Sequence, residues 1–203
     1  MTGGAPLGGW AALVLAGGAG RRFGGGKLSA DLAGVPVIRR VTDRARSAGF
    51  ADVVVVTGAD EAAVRAALDG AACRVVAAEG WAEGMAASLR TGIAALAPGM
   101  QGVCVFLGDM PLVPEDICTN LVQAALDNGY AARPRHDGKP GHPVAFTRAA
   151  FADLQALTGD EGAAALFRTH PERVDYCDTD DAGVLLDIDT PADLARIAAA
   201  CAA

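Results

Sequence analysis

Leu15-Ala16-Gly17-Gly18-Ala19-Gly20-Arg21-Arg22-Phe23-Gly24-Gly25-Gly26-Lys27 is a glycine-rich passage with three cations, directly continuing the apolar run Ala11-Ala12-Leu13-Val14-Leu15. The run reads as a buried first strand that empties into a loop. Gly17, Gly18 and Gly20 reach backbone conformations closed to other residues and let main-chain N–H groups come close to a ligand. Successive free N–H groups form an anion-binding nest, and nearby cations add charge that a phosphate can use. Such a loop suits a nucleoside triphosphate. Two other phosphate loops fail on spacing. A Walker A loop needs Gly-x-x-x-x-Gly-Lys-Ser/Thr, whereas Gly26-Lys27 is followed by Leu28. The dinucleotide fingerprint Gly-x-Gly-x-x-Gly breaks at Phe23, where its last glycine would stand. The plain alternative is a glycine-rich surface turn with solvated arginines.

Outward from the loop, short apolar runs alternate with helical patterns. Asp52–Thr57, Arg74–Ala77 and Gly102–Leu107 read as further strands, with Ala131–Arg133 and Pro143–Phe146 as later ones. The run Val53-Val54-Val55-Val56 is β-branched and does not alternate with polar residues, as expected of a parallel strand buried on both faces. Helices are expected over Val37–Gly49, Asp60–Leu68 with Asp60 as N-cap, Met85–Leu96, Pro114–Asn128 and Pro191–Ala200. This alternation predicts an α/β three-layer sandwich with a mostly parallel, Rossmann-like sheet. Ligands of such sheets bind beyond the carboxyl ends of strands, which is where the glycine loop falls.

The 203 residues are read as a single domain, 1–203, long enough for a real core. With 52% hydrophobic and 20% charged residues the chain is globular. Its formal net charge of −7 argues against nucleic acid as a partner. Cys73, Cys104, Cys118, Cys177 and Cys201 have neither zinc spacing nor a disulfide pattern. No apolar stretch approaches the roughly 18 residues of a membrane span, and the N-terminus is a poor signal peptide. No membrane association and a cytoplasmic location are therefore expected.

Two acidic positions stand out. Asp109 follows the apolar run Val103–Leu107 and precedes Met110-Pro111. A carboxylate at a strand's carboxyl end beside a phosphate loop can share Mg2+ with substrate phosphates, because that ion takes oxygen donors. The alternative is a turn or cap residue. Asp187-Ile188-Asp189-Thr190-Pro191 puts two carboxylates before a helix, where Asp189 or Thr190 could simply cap it, with Pro191 at the first position.

Together these segments resemble the nucleotidyltransferases that activate molybdenum cofactor, within the glycosyltransferase-A-like nucleotidyltransferase group. The resemblance runs from Leu15 to about Leu194. It is carried by Leu15–Lys27, Gly84–Arg90, Leu107–Leu112, Gly141–Val144, Gly159–Ala163 and Asp187–Pro191. The resemblance implies that Arg22 and Lys27 bind the triphosphate and that Asp109 and Asp189 hold Mg2+. Arg22, Lys27 and Asp109 are then the catalytic set. It further implies that Leu15, Ala16, Gly17, Gly18 and Gly20 pass under the base and ribose, with Ser88 lining the nucleotide pocket. Gly141, His142 and Pro143 fall on the acceptor side, where His142 either acts chemically or only fixes a turn. Arg21 is expected to be solvated, and Asp187 to point away from Asp189.

The implied reaction is attack by the terminal phosphate of molybdopterin on the α-phosphorus of CTP or GTP, with pyrophosphate leaving. A recipient molybdoenzyme is a further implied partner. Leu15-Ala16-Gly17-Gly18 has the guanylyl-like form, whereas Gly84–Arg90, Gly159–Ala163 and Asp187–Pro191 look like the cytidylyl branch. Because the later segments span more of the chain, CTP is the expected donor and GTP the alternative. Rival readings are a sugar- or alcohol-phosphate nucleotidyltransferase and a non-catalytic cofactor carrier.

Overall fold

In a computed structural model, which describes residues 6–160 and 162–201, ten strands and seven α-helices follow one another along the chain. The strands are β1 (Trp10–Ala16), β2 (Asp31–Leu32), β3 (Val35–Pro36), β4 (Asp52–Thr57), β5 (Arg74–Ala77), β6 (Gly102–Leu107), β7 (Ala131–His136), β8 (Lys139–Pro140), β9 (Val144–Thr147) and β10 (Val174–Asp178). The helices are α1 (Val37–Ser47), α2 (Glu61–Ala67), α3 (Met85–Ala95), α4 (Ile117–Asn128), α5 (Phe151–Ala156), α6 (Ala164–Thr169) and α7 (Pro191–Cys201). Glu161, within one of the motifs quoted above, lies outside the described residues.

The main sheet runs β10-β7-β9-β6-β1-β4-β5, with β8 paired to β7. β1 pairs in parallel with β4 and β6, β4 with β5, and β7 with β10. Only β9 and the short β8 run against their neighbours. The expected α/β sandwich with a mostly parallel sheet is the fold observed.

β1 shows why both faces must be covered. Its side chains alternate across the sheet. Trp10, Ala12 and Val14 join Ile38, Val41 and Ala45 of α1, Val64 of α2 and Leu121, Val122 and Ala125 of α4 in one core. Leu13 and Leu15 join Ala86, Leu89 and Ile93 of α3, Leu154 of α5 and Leu166 of α6 in the other. A strand apolar on both faces can only sit between two helical layers. A third, smaller cluster ties the hairpin β2–β3 to α7 through Leu32, Val37, Ile188 and Ile197. Burying a side chain such as Ile188 is worth about 1.5–3 kcal/mol. It holds the segment before α7 against the site.

Strand positions were legible, but several ends were not. β7 continues to His136, and the sequence pattern missed the hairpin β2–β3, β8, β10, α5 and α6. α4 begins at Ile117, three residues after the expected Pro114, and stops at Gly129, whose φ of 81° ends the helix. Among the described residues no helix is long and apolar enough to cross a membrane.

Candidate active site

The glycine loop leaves β1 and closes on itself. Phe23 and Gly25 donate their N–H groups to the Gly20 carbonyl at 3.0 and 3.3 Å. Gly26 has φ 65°, a left-handed conformation that turns the chain into a short 3-10 turn, Lys27–Ser29. Leu28 of that turn is buried, and the Lys27 side chain is left only 12% exposed. Asp60, expected to cap α2, makes no side-chain cap bond. Its carboxylate accepts from the Gly26 N–H at 3.3 Å instead, so it braces the loop.

Lys27 brings the two distant carboxylates together. Its Nζ lies 2.6 Å from Asp109 Oδ2 and 3.4 Å from Asp189 Oδ1. Arg22 Nη1 reaches Asp189 Oδ2 at 2.6 Å, although the Arg22 side chain is 78% exposed. Asp109 stands at the carboxyl end of β6, and its carbonyl accepts from the Ile188 N–H at 3.0 Å. The second strand end and the α7 entrance are thereby stitched to each other.

The capping alternative for this segment resolves onto Thr190. Thr190 and Asp193 form a reciprocal box. The Thr190 N–H and hydroxyl donate to Asp193 Oδ2 at 2.9 and 2.8 Å, and the Asp193 N–H donates to Thr190 Oγ1 at 3.3 Å. Hydrogen bonds from Thr190 and Arg196 hold the Asp193 carboxyl down to about 2. Asp189 is thus free of capping duty and faces Lys27.

The expectation for Asp187 is corrected. Residues i and i+2 of an extended segment share a face. With Ile188 buried between them, Asp187 and Asp189 lie on the same side. Partial burial, then the charges of Asp189 and Asp109, push the Asp187 carboxyl above its usual range.

A cavity of about 490 Å3 opens in front of these groups, within the size range of ligand pockets. Leu15, Gly17, Gly18 and Gly20 of the loop line it with Ser88 and Asp109. Ala16 falls outside it and lines a recess of about 60 Å3 with Lys27 and Asp109. Arg21 is exposed, as expected, yet it also lines the large cavity. Trp81, Met85 and Asp160 line it too. Sequence reasoning did not single them out, although Met85 and Asp160 lie in segments it quoted.

Ser88 occupies the space that a side chain at Gly17 would need. A Cβ built on Gly17 would stand 2.5 Å from Ser88 Oγ but 3.7 Å from Ser88 Cβ. Ser88 is 4% exposed and has little room to turn away. Gly17→Ala is therefore expected to lower stability by about 1–3 kcal/mol, and Ser88→Ala to recover most of that loss in the double variant. Thermal melts of the four proteins read the coupling. Additive losses would mean that the two positions do not share this space.

The donor set suits a hard dication. Asp109 and Asp189 offer only oxygen and converge on one ammonium. Among the described residues no group of three or more His, Cys, Asp or Glu could hold a metal alone. A dication held by these two carboxylates would need further oxygen ligands from outside the chain.

Gly141, His142 and Pro143 do not line the large cavity. The Gly141 N–H donates to the Pro134 carbonyl at 2.8 Å and the His142 N–H to the Val184 carbonyl at 2.9 Å. The His142–Pro143 peptide is cis. His142 lines a second cavity, which shares Leu15, Met85 and Leu107 with the first. Burial, then the Arg133 charge, lowers its imidazole to about 4, so the ring is neutral at pH 7. Its folded value lies below the unfolded 6.5 or so, so the unfolded chain takes up the proton first. Stability should fall as pH drops from about 6.5 to 4, by about 3 kcal/mol in full. Urea melts across that range should become flatter in His142→Gln. An unchanged slope would assign the dependence to other groups.

Known proteins share this architecture. The family described as MobA-like NTP transferase domain matches residues 12–174. The crystal structure of Rv0371c from Mycobacterium tuberculosis H37Rv is 31% identical, with a TM-score of 0.80, covering 94% of this chain and 97% of that one. A structure of Rv0371c in complex with manganese is 30% identical, with a TM-score of 0.77, covering 94% and 98%. Nicotine blue oxidoreductase of Paenarthrobacter nicotinovorans is 29% identical over 195 residues, 91% of this chain and 94% of its own. The molybdopterin-guanine dinucleotide biosynthesis protein A of Archaeoglobus fulgidus shares the fold, with 21% identity, a TM-score of 0.69 and coverage of 95% and 98%.

Proposed function

The chain belongs to the MobA-like NTP transferase family, and from that premise we propose that it transfers CMP from CTP to the terminal phosphate of molybdopterin, releasing pyrophosphate. The observation that carries this reading is the convergence of Asp109 and Asp189 on Lys27 at the edge of the glycine-loop cavity. Cations and carboxylates meet there from three separate parts of the chain, where a triphosphate and its counter-ion need both.

The cofactor phosphate is already an anion and needs no nucleophilic side chain. An acceptor oxygen forms a bond to the α-phosphorus while the bond from that phosphorus to the pyrophosphate oxygen breaks. The protein's task is to align the two phosphates and to offset repulsion between anions. Lys27 and Arg22 would neutralise the triphosphate, and Arg21 lines the large cavity. Leu15, Gly17, Gly18 and Gly20 would pass beneath base and ribose, with Ser88 beside Gly17 in the cavity lining. Asp109 and Asp189 would hold Mg2+, which when bound supplies charge to the phosphate oxygens. Manganese in the Rv0371c complex supports a divalent ion in this family.

The Ser88 hydroxyl beside Gly17 supports CTP over GTP. A missing methyl at position 17 would enlarge the pocket for a purine only if that space stayed open, and the Ser88 hydroxyl takes it. Incubation with Mg2+, molybdopterin and each of the four triphosphates tests the reaction by pyrophosphate release. With equimolar CTP and GTP the cytosine dinucleotide should dominate by at least about tenfold, and mismatched hydrogen-bonding edges can discriminate by far more. A guanine product would assign the choice of base to the first loop, with GTP as donor. No pyrophosphate with any triphosphate would reject the transferase reading.

A further inference from the structure

Two acidic residues line the large cavity, Asp109 and Asp160. Asp109 is paired with Lys27. The Asp160 carboxylate has neither an ion pair nor a hydrogen bond among the described residues, and the Ser88 hydroxyl is likewise without a partner. Ser88 is largely buried, yet its hydroxyl is not one of the unpartnered atoms sealed from solvent, so it opens on the cavity that the residue lines. An acceptor and a hydroxyl therefore stand uncommitted beside Trp81, Met85 and Leu107, which bring aromatic and apolar surface to the same cavity.

The fold fixes the spacing of the two groups. The Ala86 N–H donates to the Gly159 carbonyl at 3.1 Å, which fastens the turn carrying Asp160 to the first turn of α3. A Cβ on Gly84 would overlap Asp160 Oδ1 and the Gly159 carbonyl, and Gly84 has a φ of 115°. Glycine at the start of α3 is what lets the carboxylate lie there. Ser88 follows Gly84 by four positions, one helical turn along the same face. Carboxylate and hydroxyl are thus about one turn apart, roughly 5–6 Å, a span of the order of a pyrimidine's hydrogen-bonding edge.

We propose that Asp160 selects the base, its carboxylate accepting from the exocyclic amino group of cytosine while the Ser88 hydroxyl donates to the adjacent ring nitrogen. Carboxylates suit that amino group. Uracil places a carbonyl at the same position, so two sets of lone pairs would meet with no proton between them. A hydroxyl both donates and accepts, so Ser88 tolerates either ring and discrimination between CTP and UTP falls to Asp160. Purines also carry amino groups, and the choice against them stays with the space beside Gly17. The inference rests on the nucleotide site proposed above and adds the residue that reads the base edge.

The test is equilibrium binding of CTP and of UTP to the full chain, with Mg2+ and without acceptor. Trp81 fluorescence reads it, since Trp81 lines the cavity and Trp10 is fully buried in the core. Wild type should bind CTP at least about tenfold more tightly than UTP. Asp160→Asn, whose amide can donate to the uracil carbonyl, should bring the two Kd values within about twofold. Asp160→Ala should also narrow the ratio but bind UTP less tightly than Asp160→Asn. Loss of a negative charge near the phosphates would tighten both nucleotides together, so the ratio isolates base reading. Ser88→Ala should weaken CTP and UTP alike. Asp160 is exposed in a loop, so its variants should keep the fold. A wild-type ratio near one, or a ratio unchanged in Asp160→Asn, would overturn the proposal, and pyrophosphate release from CTP would then leave the transferase reading standing. A ratio that collapses in Asp160→Asn while no triphosphate yields pyrophosphate would keep the base reader and reject the transfer. Binding of neither nucleotide would reject both.

Discussion

Asp109→Ala is expected to cut pyrophosphate release about 10³-fold, equivalent to about 4 kcal/mol of barrier, while the melting temperature changes little. Asp109 stands at the end of a buried strand with its carboxylate 22% exposed and held against Lys27. The backbone here is held independently of that contact, by the Asp109 carbonyl that accepts from Ile188 and the neighbouring Gly108 N–H that donates to Leu15. Truncating the side chain removes the charge and leaves that frame in place. The remaining carboxylate, Asp189, is 39% exposed and also bound to Arg22. It offers a divalent ion a poorer site alone. Asp109→Asn, which keeps the shape and loses the charge, should be nearly as inactive. Activity within tenfold of wild type in either variant would remove Asp109 from the catalytic set.

Lys27→Ala should be the second large effect, about 10²–10³-fold in turnover, the range seen when one donor to a transition-state oxyanion is lost. Lys27 is the least exposed of the loop cations and the one that contacts both carboxylates. Removing it leaves two like charges facing each other and a triphosphate without its innermost cation. Arg22→Ala should cost less than Lys27→Ala, since Arg22 is largely exposed and binds one carboxylate. Arg21→Ala should cost least, although its place on the cavity wall predicts a measurable rise in the KM for the triphosphate. Steady-state kinetics of the three variants order the cations. Equal, mild effects at all three positions would mean that the loop does not cradle phosphate.

Much of the fold was legible because its signals are local. The runs Ala11–Leu15, Val53–Val56 and Val103–Leu107 are apolar without alternation, and only a strand buried on both faces accommodates that. Gly129 marked the end of α4, and the glycines after Leu15 marked a loop at a strand's carboxyl end. The candidate set Arg22, Lys27, Asp109 and Asp189 came from the family resemblance of the motifs, because residue type alone leaves Arg21 beside Arg22 and Asp187 beside Asp189. The error at Asp187 came from the period itself, since alternate residues of an extended segment share a face.

The sequence alone thus determined the layers, the loop and the chemical inventory, each written in neighbouring residues. Tertiary structure decided how the inventory is joined. Lys27 meets Asp109 across 82 positions and Asp189 across 162. That meeting depends on the parallel register of β1 with β6 and on Ile188 packing with Leu32 and Val37. Whether Thr190 or Asp189 capped α7 depended on which side chain Asp193 could reach. The space beside Gly17 was filled by Ser88, a residue of another element, so no count of glycines could measure it. Asp160 stood inside a quoted segment, but a carboxylate left without a cation is defined by what surrounds it. Contact between distant segments is set by packing, and only the folded chain makes it visible.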